Sequence, residues 1–201
     1  MVNKLSFPII LASASERRKQ LMHKMGYEFN VIAPRINEPV LSVAQEVPPV
    51  PWAESLAYYK ARSVSEDNLD AIVIGADTIV VHEGKIIGKA ANESEARHIL
   101  TNQFAGRVKV ITGLAVICGA LCRRIITHDE TTLTIRAMTE NEREEYLARG
   151  IWRGKAGAYA IQEGGDRFVE SMEGSFANVV GLPTEKLEEV LSLIEGYIDR
   201  V

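Results

Sequence analysis

The stretch Ala71-Ile-Val-Ile-Gly-Ala-Asp-Thr-Ile-Val-Val81 decides the fold. Its first half is a continuous apolar run without polar alternation, which is the pattern of a strand covered on both faces of a sheet. Glu83-Gly84 follows after His82 and predicts a hairpin turn into a short strand at Ile86-Ile87. The sequence therefore predicts a buried central strand in an α/β sheet.

Helical and strand patterns alternate before this stretch and strands cluster after it, so we predict a mixed sheet flanked by helices. One helix, from Trp52 to Ser65, is expected to turn Leu56 and Tyr59 toward the core. Between Pro34 and Pro51 the chain is rich in proline and polar residues, which favours a loop over a site. The remaining predicted strands are Phe7–Ala12, Glu28–Ala33, Val108–Ile117, Leu121–Thr127 and Thr131–Ala137, and the remaining predicted helices begin near Ser15, Asn92, Thr139 and Thr184.

The composition is that of an ordinary globular chain, with 46% hydrophobic and 25% charged residues. The formal net charge of -4 excludes a global basic field that would attract nucleic acid or an anionic membrane. No apolar run approaches the ~20 residues that cross a bilayer, and Cys118 and Cys122 have no neighbouring ligands to complete a zinc site. We expect a single domain spanning residues 1–201, located in the cytoplasm, with neither nucleic acid nor a membrane as partner.

Asp77 interrupts the central apolar stretch. A carboxylate between buried strand segments is costly unless it is hydrogen-bonded, paired or functional. The hydroxyl of Thr78, beside it, can bond either the carboxylate or a ligand. Two interpretations stay open from these residues alone: a buried aspartate that caps a turn, or a functional carboxylate.

The segment Ser13-Ala-Ser-Glu-Arg17-Arg18 joins the first strand to a helix that Ser15 can cap. The unpaired N–H groups and the positive dipole end of such a helix favour an anion. Two arginines in the first turn oppose the dipole, and a bound phosphate would resolve the conflict because guanidinium groups pair with phosphate oxygens. A solvated basic surface is the alternative explanation.

Two lysines are also candidates to bind a phosphate group: Lys60 lies on a predicted helix, and Lys89 follows the predicted hairpin. The segment Gly84–Ala90 resembles a P-loop, but its glycine spacing is one residue short and it lacks the serine or threonine that reaches Mg²⁺. We therefore exclude a P-loop ATPase. The glycine-rich C-terminal third, which contains Ser175 and Asn178, suits either tight turns or the close approach of a ligand.

Several ordered blocks carry a resemblance to a known family: Leu11–Arg18, Leu56-Ala57 with Lys60-Ala61, Gly75–Ile79, Gly88-Lys89 with Glu95-Ala96, Thr112-Gly113, Lys155–Gln162 and Gly174–Pro183. Together they resemble the Maf family of nucleoside triphosphate pyrophosphatases over nearly the whole chain. The resemblance implies a Maf/ITPase-like α/β fold, with a strongly twisted mixed sheet and two lobes around a central cleft. This chain departs from the family pattern at Glu16 and Ala90, where the family usually has proline, and at Gly154, where aspartate is frequent.

The resemblance further implies cleavage of a nucleoside triphosphate between its α- and β-phosphates, giving a nucleoside monophosphate and pyrophosphate. Asp77 would accept the proton of the attacking water, and with Glu38 it would hold a divalent cation, Mg²⁺ or Mn²⁺. The leaving pyrophosphate requires cations, for which the arginines and lysines above are the candidates. The resulting site has Asp77, Lys89 and Lys60 as catalytic residues, and Ser13, Arg17, Arg18, Thr78, Gln162, Ser175 and Asn178 as substrate-binding residues.

Gln162 bears on the choice of base, because its amide can pair with N3–H and O4 of uracil or thymine. Arg17, Thr78 and Gln162 together resemble the branch that prefers dTTP and UTP, which implies these nucleotides and modified pyrimidine triphosphates as substrates. Two alternatives stay open: a pyrophosphatase acting on 7-methyl-GTP, and a nucleotide-binding regulator of cell division without catalysis. A homodimer is a further expectation that rests on the resemblance alone.

Overall fold

A single mixed sheet runs through the computed structural model, which describes residues 7–37, 47–102, 105–161 and 166–198. Its strands are β1 (Ile9–Leu11), β2 (Phe29–Val31), β3 (Ile72–His82), β4 (Lys85–Ile87), β5 (Gly106–Cys118), β6 (Arg123–Ile135) and β7 (Val169–Glu173). The order is β2-β1-β3-β5-β6-β7, with β4 paired to β3. β1 is parallel to both its neighbours and all other pairs are antiparallel. The predicted mixed α/β sheet is therefore confirmed.

The helices are α1 (Glu16–Lys24), α2 (Pro49–Ser65), α3 (Glu93–Asn102), α4 (Glu140–Ala148), α5 (Phe176–Val180) and α6 (Thr184–Ile198). The predicted cap of α1 is confirmed, since Ser15 Oγ accepts the backbone N–H of Arg18 at 3.5 Å. Thr139 and Glu142 form a reciprocal capping box at the start of α4. α2 begins at Pro49, within the predicted loop, because proline is tolerated in the first helical turn.

β3 is the buried central strand, and its two faces pack against different helices. Ile72 and Ile74 lie in a cluster with the apolar side chains of α1 and α6, whereas Val73 packs with those of α2. Because both faces meet apolar neighbours, the strand carries no polar alternation. The prediction made from this stretch is confirmed.

α2 approaches the sheet unusually closely through its small residues. A Cβ added at Gly75 would lie 2.5 Å from the carbonyl oxygen of Ala57 and 2.6 Å from the amide nitrogen of Ala61. Leu56 is buried as predicted, but the prediction for Tyr59 is wrong, since this residue is 52% exposed. Because the helix lies this close to the sheet, alanines fit on the surface of α2 that faces it. The bulky ring of Tyr59 points to solvent instead.

The predicted strands Leu121–Thr127 and Thr131–Ala137 are in fact one continuous strand, β6. The polar residues between the two predicted strands suggest a turn, but in the structure their side chains bond to groups beside the sheet. His128 Nδ1 lies 2.8 Å from a carboxylate oxygen of Glu54, and Glu130 pairs with Lys109 at 2.7 Å. Since these groups are satisfied without a turn, the strand continues.

Candidate active site

A cleft of about 210 Å³ opens where the start of α1, the middle of β3 and the segment 154–161 meet. Asp77 is the sole acidic side chain lining it within the described ranges, and cations surround it. The charged and polar lining residues are Ser15, Arg17, Arg18, Lys60, Asp77, Thr78, Lys89, Lys155 and Tyr159. This charge balance suits an anionic ligand. The division of the molecule into two lobes stays a prediction.

Asp77 and Lys60 form an ion pair within this cleft. Lys60 Nζ, on α2, donates to Asp77 Oδ1, on β3. The two residues are only 7% and 8% exposed, respectively. Removing an ionised side chain from water costs on the order of several kcal/mol of solvation free energy. Each of these two charged groups is therefore stabilised in its buried position by the other. The ion pair joins two of the three side chains predicted to be catalytic, and the third, Lys89, lines the same cleft.

Arg18 uses its guanidinium group to connect three parts of the chain. Nε donates to the carbonyl oxygen of Gly181 at 2.7 Å, Nη1 to Ser13 Oγ at 3.3 Å and Nη2 to Thr78 Oγ1 at 3.2 Å. A planar guanidinium supplies this fork of donors, whereas an ammonium does not. Arg18 therefore holds the turn before α1 against β3 and the end of α5, while its charge borders the cleft.

A directed hydrogen-bond chain continues from Arg18 into the core. Thr112 Oγ1 donates to the carbonyl oxygen of Asn178 at 2.9 Å. Because a hydroxyl carries one proton, Thr78 must then donate to Thr112 across their 3.0 Å contact while it accepts from Arg18. The chain links the cleft wall on β3 to α5 across β5.

Ser175 and Asn178 lie at α5 and are absent from the lining of the cleft within the described part of the chain. Asn178 is fully buried, and its amide donates to Thr131 Oγ1 at 3.0 Å and to the carbonyl of Val110 at 3.1 Å. Ser175 Oγ caps α5 and donates to Glu185 at 3.1 Å. These contacts position α5, and the predicted substrate-binding role of both residues stays a prediction.

The pKa of Glu185 is held below its ordinary value by its own backbone N–H and by the hydroxyls of Ser175 and Thr184. These donors favour the charged form of a carboxylate at the start of α6, where the helix dipole favours it as well. The start of α5 is therefore anchored to the next helix by a charge-assisted bond.

Arg17, Lys89 and Lys155 complete the cationic lining of the cleft. Lys89 forms an isolated antiparallel bridge with Ala156, and the N–H of Gly157 donates to the carbonyl of Gly88 at 2.9 Å. This backbone pairing brings Lys155 to the same cleft as Lys89. Lys155 carried no predicted role, although its place between Gly154 and Gly157 in a glycine-rich turn was the available signal.

Glu38 and Gln162 lie outside the described residues. Within the described ranges no group of three or more His, Cys, Asp or Glu side chains is arranged to hold a metal ion. A single carboxylate in a cation-lined cleft is nonetheless compatible with Mg²⁺, which is commonly held by one or two carboxylates together with substrate phosphates and water. The chemistry of Asp77 therefore fits such an ion.

The sheet and the cation-lined cleft are those of an α/β protein suited to an anionic ligand. The family model described as "Maf-like protein" matches residues 8–194. The chain therefore belongs to the Maf-like protein family, as its sequence blocks indicate.

Similarity to known proteins extends over nearly the whole chain. The dTTP/UTP pyrophosphatase of Moorella thermoacetica is 40% identical over 185 residues, which cover 92% of this chain and 94% of that protein. The dTTP/UTP pyrophosphatase of Dictyoglomus thermophilum is 40% identical over 190 residues, covering 94% of this chain and 96% of that protein. Among solved structures, a HAM1 protein from Coxiella burnetii superposes with a TM-score of 0.44 and 15% identity, over 66% of this chain and 74% of that one.

Proposed function

We propose that this protein is a nucleoside triphosphate pyrophosphatase that hydrolyses dTTP, UTP and modified pyrimidine triphosphates to the monophosphate and pyrophosphate. The observation that carries the proposal is the cleft, in which one carboxylate, Asp77, lies among several cations. The printed names of the relatives, dTTP/UTP pyrophosphatase, agree with this reading at about 40% identity over more than nine-tenths of the chain.

The cationic side chains of the cleft are proposed to bind the triphosphate. Attack of water on the α-phosphorus moves negative charge onto the leaving pyrophosphate, so positive groups fixed at that end stabilise the transition state more than the ground state. Arg17, Lys89 and Lys155 are the described side chains suited to this task, with Arg18 and the Ser13 hydroxyl bonded beside them. Positioning and charge stabilisation are what phosphoryl transfer chiefly requires of a protein.

Asp77 is the proposed proton acceptor for the attacking water, and Lys60 its positioning partner. The bond from Lys60 to Oδ1 holds the carboxylate in one orientation within the cleft. Because α2 supplies Lys60 and β3 supplies Asp77, the alignment of the base depends on the close packing of this helix on this strand.

A divalent cation, Mg²⁺ or Mn²⁺, would be held by Asp77 together with substrate oxygens, and Glu38 is the second proposed ligand. When bound, such an ion neutralises phosphate oxygens and lowers the pKa of a coordinated water. Asp77 would then orient as well as deprotonate the nucleophile.

We assign recognition of the nucleobase to Gln162, together with Arg17 and Thr78. Tyr159 and Ile161, which precede Gln162 in the sequence, line the cleft, and this supports the assignment. A glutamine amide pairs with the adjacent N3–H donor and O4 acceptor of uracil and thymine. Adenine and cytosine lack this pattern, and guanine carries it at N1–H and O6 only on a larger bicyclic ring, so purine triphosphates are expected to be poor substrates.

The test measures pyrophosphate release from a panel of purine and pyrimidine triphosphates, including 7-methyl-GTP, with Mg²⁺, with Mn²⁺ and with EDTA. We expect turnover of dTTP and UTP that depends on the metal. Asp77→Asn should lower turnover by about 10²–10⁴-fold, the usual contribution of a general base, while dTTP binding measured by calorimetry is retained. Asp70→Asn is the matched control, because Asp70 is an exposed aspartate just before the same strand, and it should behave as wild type.

The outcomes separate the alternatives. Faster turnover of 7-methyl-GTP or other purines than of dTTP and UTP would assign the protein to the other branch. Nucleotide binding without pyrophosphate release in the wild type would support the non-catalytic regulator. Asp77→Asn with wild-type turnover would remove Asp77 from its proposed role.

Location in the cytoplasm stays a prediction, consistent with a nucleotide substrate. Within the residues described, none of the helices has both the length and the apolar character needed to span a bilayer.

A further inference from the structure

Thr112 places a fully buried hydroxyl in the middle of a strand segment that is otherwise apolar. The buried side chains around it on β5 are those of Val110, Ile111, Leu114 and Ala115. Valine has nearly the shape of threonine and lacks the hydroxyl, which costs free energy when it is buried without a bond. Packing alone therefore does not account for a threonine here, and the bonds of its hydroxyl indicate its use.

The Thr112 hydroxyl belongs to a ring of hydrogen bonds that begins and ends at Arg18. Arg18 Nη2 donates to Thr78 Oγ1, which in turn donates to Thr112. Thr112 donates to the carbonyl oxygen of Asn178 at 2.9 Å. The same oxygen accepts the N–H of Gly181 at 3.0 Å, and the carbonyl oxygen of Gly181 accepts Arg18 Nε at 2.7 Å. Two bonds of the guanidinium, from Nη2 and from Nε, are therefore connected through Thr112.

The register of the sheet brings the two threonines together. Thr78 on β3 lies directly opposite Thr112 on β5. The carbonyl oxygen of Ile74 accepts from Ala12, so the backbone of Ile74 faces away from β5, and that of Thr78, four residues later, faces the same way. The two threonines are therefore a pair without backbone bonds between them, in which side chains approach most closely. Two short hydroxyl side chains can meet only in such a pair.

Gly181 leaves room for the guanidinium at the other end of the ring. A Cβ added there would lie 3.2 Å from Thr78 Oγ1 and 3.6 Å from Arg18 Nε, and φ is +120°. This is a backbone conformation that glycine adopts without a steric penalty. The carbonyl of Gly181 therefore reaches Arg18 without a side chain that would displace it.

We propose that Thr112 is a positioning residue, which fixes the orientation of the Arg18 guanidinium at the border of the cleft. Because the Thr112 proton is committed to Asn178, the Thr78 proton is committed to Thr112, and the Thr78 oxygen is left to accept from Arg18. The charge of Arg18 is thereby oriented before the pyrophosphate leaves, which is the condition for stabilising a transition state. This inference rests on the proposed function, since it concerns the cations that bind the triphosphate.

Two substitutions separate the hydroxyl of Thr112 from its packing. Thr112→Val keeps the shape and removes the hydroxyl, and it should lower kcat for pyrophosphate release from dTTP by about 10-fold while KM changes by less than about 3-fold. Thr112→Ser keeps the hydroxyl and should retain the wild-type kcat, although the loss of a buried methyl group lowers its melting temperature. A Thr112 that served packing alone would give the opposite order of rates, and that result would overturn the proposal.

A double-mutant cycle tests whether Thr112 acts through Arg18. In the Arg18→Lys background, adding Thr112→Val should change kcat/KM by less than about 2-fold, because the group that Thr112 positions is gone. Effects that multiply would show that Thr112 acts independently of Arg18. Thr132→Val is the matched control and should behave as wild type, since this half-buried threonine lies on β6 on the opposite face of the sheet.

The nitrogen–proton NMR signal of Arg18 Nε, identified by its loss in Arg18→Lys, reports on the positioning without turnover. Its proton should exchange slowly with water in the wild type and in Thr112→Ser, and faster in Thr112→Val, where the ring of bonds is broken. An unchanged exchange rate in Thr112→Val would overturn the proposal whether or not the protein releases pyrophosphate. A wild type that releases no pyrophosphate, but whose Nε exchange responds as expected, would refute the proposed activity and support the positioning of Arg18.

Discussion

Replacing Gly75 by alanine places a methyl group between β3 and α2 at their closest approach. The added Cβ would lie 2.5 Å from the carbonyl oxygen of Ala57, 2.6 Å from the nitrogen of Ala61 and 2.9 Å from the Cβ of Ala61. Two of these atoms belong to the helix backbone, which cannot rotate away as a side chain can. The helix must therefore move outward, and Lys60 moves with it relative to Asp77.

The size of the effect follows from this geometry. Overpacking a close-packed interior costs about 1–3 kcal/mol, and at this chain length each kcal/mol lowers the melting temperature by roughly 2–4 °C. A loss of about 2–12 °C is therefore expected for Gly75→Ala. A misplacement of about 1 Å in a catalytic group can cost ~10²-fold in rate, so kcat for dTTP should fall even in the folded fraction.

Calorimetric melting and pyrophosphate release measure the two effects separately. Gly196→Ala is the matched control, because a Cβ there meets no atom within 4 Å and the position is helical. It should be neutral or stabilising by about 0.5–1 kcal/mol. Adding Ala61→Gly to Gly75→Ala should not restore stability, since the oxygen of Ala57 still obstructs the methyl group. A Gly75→Ala protein with wild-type melting temperature and kcat would refute this reasoning.

Three further perturbations test other parts of the structure. Asn178→Ala should lower the free energy of unfolding by about 1–3 kcal/mol, because it removes buried hydrogen bonds to α5's neighbours; an unchanged urea midpoint would contradict the packing role. Arg18→Lys should lower kcat/KM for dTTP by at least about 10-fold, since an ammonium cannot replace the guanidinium fork, and steady-state kinetics decides it. Bonds from Arg136 and the backbone of Thr139 lower the pKa of Glu142 to about 2, below the ordinary 4.5. Its stabilising contribution is thus fully present above about pH 4.5 and is lost as the pH falls toward 2, so Glu142→Gln should differ from wild type in unfolding free energy near neutrality and converge with it in acid.

Local patterns in the sequence were sufficient for much of the fold. The apolar run before Asp77 predicted a strand buried on both faces, because covering both sides of a strand removes the need for polar alternation. Ser15 and Thr139 marked helix starts, since their hydroxyls satisfy backbone donors only a few residues away. Ordered blocks along the chain also identified the family. Each of these signals depends on residues close together in the chain.

Other features depend on contacts between distant residues, which only the tertiary structure decided. Arg18 bonds to Gly181, 163 positions away, and Lys60 meets Asp77 through the packing of a helix on a strand. Because α2 packs so closely on the sheet, Tyr59 points to solvent, although its position in the helical pattern predicted that it would face the core. Lys155 reached the cleft through backbone pairing near Lys89. The sequence by itself determined which side chains were able to bind phosphate or move a proton, because that is a property of their chemistry. Which of them lie in one cleft, and which are held elsewhere, was decided by how closely the helices and strands pack.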